Sequence, residues 1–167
     1  MASTIINSSK ALCDRQRARL KRAECQQLFI EICGVLAGEG RLAEALAEGT
    51  TIRTFQRMTR AAHAWLKCER GIELQSVHAF GSAPRGLDQY WSRLLDHWRS
   101  YGSGSILLGM SGRYDHWSCV RSMSDRAISL MDSDGIHLLR RDHCTVAEYT
   151  ELRRYVLWPT QTLLVTD

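Results

Sequence analysis

The chain reads as an α+β protein: a helical N-terminal half followed by a mostly antiparallel sheet. Two observations lead there. Apolar residues recur at helical spacing through the first half, and beyond the break at YGSGS they fall instead into short continuous or alternating runs. At 167 residues, 44% hydrophobic and 24% charged, the chain is long enough to bury a core and reads as one domain over 1–167.

The elements follow in order. Ser8 or Ser9 is a fair N-cap and Gly38 a C-terminal stop, with Leu20, Ala23, Leu28, Ile32 and Leu36 at helical spacing between them, as one long helix or two. A second helical pattern covers 41–47. Thr50 or Thr51 opens a third, running through Phe55, Met58, Ala62 and Trp65 to Cys68. GIELQSV suits a short strand and GSAPRG a turn. Residues 87–101 form an amphipathic helix with Leu87, Tyr90, Trp91, Leu94, Leu95 and Trp98 on one broad face. ILLGM, HWSCV and AISLMD are strand-like, and IHLL extends the sheet. Thr145 and Glu148 make a capping box for a helix through Leu152, Tyr155 and Val156, closed by Pro159, and TLLV supplies a last strand.

Composition narrows the function. No run approaches the roughly 20 apolar residues of a membrane helix, and MASTIINSSK lacks the basic-then-apolar order of a secretory signal. A soluble cytoplasmic protein is expected. The six cysteines are scattered without a CxxC pair, so reduced thiols are expected rather than a disulfide framework or a zinc site. Lys10, Arg15, Arg17, Arg19, Lys21 and Arg22 crowd one stretch of a chain with net charge +4. With no aromatic residues between them, they read as a solvated helix face, and nucleic acid is not the expected partner.

The chemistry concentrates at His116 and Asp132. If HWSCVR and AISLMD are hairpin arms around a loop centred on Ser124, Val120 faces Ile128, Ser118 faces Leu130, and His116 faces Asp132. Directly opposed Cβ atoms lie about 4.5–5.5 Å apart. A carboxylate at that distance can accept an imidazole N–H and fix its tautomer. The acidic run Asp132, Ser133, Asp134, Gly135 also reads as a tight turn, so Asp134 competes with Asp132 as partner.

The stretch SILLGMSGRYDHWSCVRSMSDRAISLMDSDG resembles the second half of the bacteriocin-processing, C39-like group of papain-like cysteine peptidases, and EGTTIRTFQRMTRAAHAWLKCERGIEL resembles that family's turn-and-helix insert. The resemblance implies a papain-like fold acting on a peptide or other amide bond without cofactor or metal. Cys25, in ECQQLFIEICGVLAG, would be the nucleophile, His116 its general base and acid, and Asp132 the orienting carboxylate. Cys13 and Cys33 are weaker substitutes. The sequence departs from the family at two places: Gln26 follows Cys25 where glycine is usual, and Arg19 stands where an oxyanion glutamine belongs, with Gln16 the nearest upstream. These departures raise a second expectation, a catalytically inactive papain-like scaffold that binds a peptide or protein partner. A third is a basic interaction protein using the Lys10/Arg22 stretch.

Other groupings carry less. In a strand His116 and Cys119 point to opposite faces, and adjacent His143 and Cys144 diverge, so with His137 they make no metal site. Trp117, next to His116, faces the other side of the sheet and supports it from behind. The glycines of YGSGS precede no helix of a βαβ unit and make no phosphate loop.

Overall fold

The computed structural model describes every residue except Tyr114 and Tyr149, and the backbone alone of Leu46. Four helices come first: α1 (Ala2–Arg15), α2 (Arg22–Gly38), α3 (Leu42–Glu48) and α4 (Ile52–Arg70). Strand β1 (Gln75–His78) and helix α5 (Leu87–Tyr101) follow. The chain then runs through β2 (Ile106–Gly112), β3 (His116–Met123), β4 (Ala127–Met131), β5 (Leu138–Arg140), β6 (Cys144–Thr145) and β7 (Tyr155–Thr166). The α+β plan holds.

The long N-terminal helical pattern is two helices, and the first starts well before Ser8. Ser8 and Ser9 are buried inside α1, where the Ser8 hydroxyl donates to the Gly104 carbonyl at 2.6 Å. That approach explains the glycine of YGSGS: a Cβ on Gly104, at φ +87, would lie 2.7 Å from the Ala11 Cβ and 2.9 Å from the Ser8 carbonyl oxygen. The break after α1 uses neither glycine nor proline. Ala18 N–H donates to the Cys13 carbonyl at 2.8 Å and Arg17 N–H to the Asp14 carbonyl at 3.1 Å, with Arg17 left-handed at φ 58. This is a Schellman closure built on an arginine. The basic stretch is therefore not one helix face, because it spans this turn; Arg15 pairs with Asp167 at 2.5 Å.

Beyond the turn, the Lys21 N–H donates to Glu24 at 2.7 Å, opening α2, and Glu24 also pairs with Arg70 at the end of α4. Thr51, rather than Thr50, caps α4 by accepting the Thr54 N–H. Among the described residues the helix expected after Thr145 is absent. Its last residues, Tyr155 and Val156, belong to β7, which pairs antiparallel with β2 and parallel with the two residues of β6, and Pro159 lies within the strand. Tyr149 of that expected helix lies outside the described residues.

The sheet order is β1-β7-β2-β3-β4-β5. Alternation divides its side chains between two cores. Leu107, Trp117, Cys119, Leu163 and Val165 pack against α1, α2 and α4, while Ile106, Leu108, Val120, Ile128, Leu130 and Leu164 pack with α5. Trp117 stacks on Phe55 of α4, centroids 4.0 Å apart, as expected of a side chain backing the sheet. No described helix is long and apolar enough to cross a membrane.

Candidate functional site

His116 is the first residue of β3, and Asp132 follows the last residue of β4. The hairpin brings them together in a register shifted from the expected one. Val120 pairs with Leu130 and Cys119 with Met131, and a bulge between Val120 and Ser122 moves Met123 onto Ile128. The loop is residues 124–126, organised by the Ser124 hydroxyl accepting the Arg126 and Ala127 N–H groups at 3.3 and 3.1 Å. A loop centred one residue later and an added bulge cause the difference. Along the lower ladder the shift is two residues, and an even shift keeps side chains on their own face.

Asp132 is locked by its own turn. Its Oδ1 accepts the N–H groups of Asp134 at 2.7 Å and Ile136 at 3.3 Å, and its side chain is fully buried. The His116 Nε2 lies 2.6 Å from Asp132 Oδ2, and Nδ1 lies 3.1 Å from Asp134 Oδ2. Neither contact has the direction of a linear hydrogen bond; each is a close approach of a carboxylate oxygen to a ring nitrogen. Burial raises the Asp132 carboxyl, but Ser118, the Asp134 N–H and His116 outweigh it and hold the acid below its ordinary range. Asp134, with its side chain 64% exposed, is the looser of the two carboxylates.

Both ring nitrogens thus face carboxylates, and both can donate only in the imidazolium. A thiol–imidazole pair needs one nitrogen free to take the thiol proton. Here Asp134 stands at the nitrogen that Asp132 leaves over.

Cys25 is not brought to this pair. It lies in the first turn of α2 and packs against the helical core, with Cys13 close enough to feel its charge. Two helices measure the separation. The neighbouring residue Glu24 pairs with Arg70 at the C-terminal end of α4, whereas Thr50, just before α4, lines the cleft beside His116. The 19 residues of α4 make these ends about 27 Å apart. In α1, Cys13 occupies the last turns, while the Met1 amine at the other end lies in the field of Asp134 and Asp132. The substitutes do no better: burial pushes the Cys13 thiol up to about 11 and also raises Cys33. Gln16, the nearest upstream glutamine, bonds Asp167 at 3.2 Å.

The cleft at His116 holds about 510 Å³, lined also by Thr50, Ser111, Asp115, Trp158 and Gln161. The last two were not legible as site residues. Opposite β2, the β7 register breaks between the partners of Leu108 and Met110, and residues 158–161 bulge out. Gln161 packs directly over Gly109, where a Cβ would stand 2.5 Å from the Gln161 Cβ and 2.6 Å from its Oε1. Trp158 is fixed by an indole N–H donated to Ser111 Oγ at 2.8 Å. The available signal was a proline beside a tryptophan in an otherwise strand-like run, which marks a bulge.

All six cysteines are free, and Cys119 and Cys144 are buried in different cores. Among the described residues no group of three or more His, Cys, Asp or Glu side chains gathers as a metal site. No protein-family model matches this chain, and neither a curated protein nor a solved structure matches it.

Proposed function

We propose that this chain is a papain-like scaffold that binds a peptide or protein segment in the cleft beside His116, without amide hydrolysis by Cys25. One observation carries the reading: His116 is held between Asp132 and Asp134, while Cys25 lies near the far ends of α1 and α4. The resemblance to C39-like peptidases supports the scaffold, and the open cleft with the half-exposed Trp158 suits an extended segment.

The buried Asp132 against His116 favours a second reading, a cysteine peptidase or amide hydrolase with the triad Cys25, His116 and Asp132. It would require α2 to carry Cys25 across the core to His116. Limiting iodoacetamide across pH separates the two, with labels located by mass spectrometry. The scaffold reading expects the exposed Cys68 to label readily and Cys25 to be indifferent to His116→Ala. Labelling of Cys25 below pH 7 that vanishes in His116→Ala would overturn it in favour of the triad. As a positive arm, NMR against a library of extended peptides should shift the Trp158 indole and His116 ring signals, with affinity lost in Trp158→Ala. No peptide-induced shift at either group would sink the binding reading.

A further inference from the structure

A second cavity, of about 450 Å³, lies between α4 and β1, away from His116. Arg60, His63 and Lys67 line it from one side of α4, three and four residues apart, and Gln75 and Ser76 line it from β1. His63 is only 8% exposed and, among the described residues, has neither a hydrogen bond nor an ion pair. Its ring nitrogens are not enclosed by protein but open to the cavity, where a ligand can reach them. Arg60 likewise has no partner among the described residues, whereas Lys67 is held at 2.6 Å by Glu73, which also lines the cavity and is neutralised there.

The cavity opens beside a free sheet edge. β1 pairs with β7 on one side, and no described strand covers the other. Folded proteins guard such edges with charged residues, proline or a covering element. β1 is Gln-Ser-Val-His, without charge or proline, and Val77 is 54% exposed. The opposite edge, β5, ends in Arg140, paired with Asp142. A hydrogen bond of 2.8 Å between Gln56 and His78 ties the end of β1 to α4, keeping edge and cavity in fixed relation.

We propose that the outer edge of β1 accepts an extended acidic peptide segment as an added strand, with a carboxylate side chain entering the cavity between Arg60 and His63. Main-chain hydrogen bonds along β1 would supply affinity and the carboxylate would supply selection. The unpartnered Arg60 and the chain's net charge of +4 make an acidic segment the complementary occupant. At neutral pH His63 is uncharged, its pKa pulled down to about 4 by burial, and still offers one ring N–H to a carboxylate oxygen. Arg60 supplies the charge.

The test is calorimetric titration of the whole protein at pH 7 with a short peptide alternating valine and glutamate. Binding should weaken about tenfold or more in Arg60→Glu, and similarly when glutamine replaces glutamate in the peptide. Arg60→Gln, a milder surface change, should show the same direction at unchanged thermal stability. N-methylation of the peptide backbone should abolish binding, because an added strand needs those N–H groups. No binding, or binding indifferent to Arg60, overturns the proposal. Binding that needs Arg60 but survives N-methylation, or that free glutamate displaces equally well, marks a simple carboxylate site and also overturns strand addition.

Discussion

At the scale of single residues, three side chains make contributions to stability, of either sign, that can be measured. Arg17 occupies the left-handed position that closes α1, where a non-glycine residue pays about 1 kcal/mol. Arg17→Gly should therefore raise stability by about 1 kcal/mol in urea unfolding, even though it removes a surface charge. Asp132 contributes in the opposite sense. Its folded pKa is below the ordinary value, so its stabilisation is present above pH 4 and is lost as pH falls through the folded pKa. Asp132→Asn should cost about 2 kcal/mol at pH 7 and remove that acid-range dependence. His63 acts through burial. With a folded pKa of about 4 against 6.5 when unfolded, the unfolded chain binds more protons between those values. Stability should thus be full above pH 6.5 and fall by about 3 kcal/mol toward pH 4. In His63→Leu, unfolding curves across that range should lose this part of the slope.

At the scale of elements, the β2–β7 contact depends on a missing side chain. Gly109→Ala would drive a Cβ against Gln161, including its carbonyl oxygen at 3.1 Å. The substitution should cost about 1–3 kcal/mol and shift the Gln161 side-chain amide in NMR spectra. Adding Gln161→Ala should recover only part of the loss, because it removes the Oε1 contact and leaves the Cβ at 2.5 Å and the carbonyl oxygen in place. The β3–β4 hairpin shows what was legible at this scale. Both strands, and the shared face that brings His116 to the acidic turn at 132–134, could be read from alternation, since β-strand periodicity is a local property. The register could not, because the bulge between Val120 and Ser122 and the Ser124 turn depend on how the loop closes. The capping box at Thr145 failed for a related reason. Its residues favour helix locally, but Tyr155 and Val156 complete a ladder with β2 and β6.

At the scale of the molecule, the Phe55–Trp117 stack joins the helical layer to the sheet. Trp117 is 7% exposed and Phe55 fully buried. Trp117→Ala should cost about 3–5 kcal/mol, and a double-mutant cycle with Phe55→Ala should return a coupling of about 1 kcal/mol. Thermal melts of the single and double variants at one pH would check both figures.

By itself the sequence determined the helical first half, the strand-rich second half and the meeting of His116 with the acidic turn that holds Asp132 and Asp134. Each rests on periodicity or on a turn a few residues long, which neighbouring residues dictate. Only the tertiary structure decided whether a thiol meets that pair. The turn after α1, closed on Arg17 without glycine or proline, sets α2 off as a separate helix, and the Glu24–Arg70 contact anchors Cys25 near the far end of α4. The position of Cys25 relative to His116 is thus a matter of how helices pack over tens of ångströms, which no local pattern encodes.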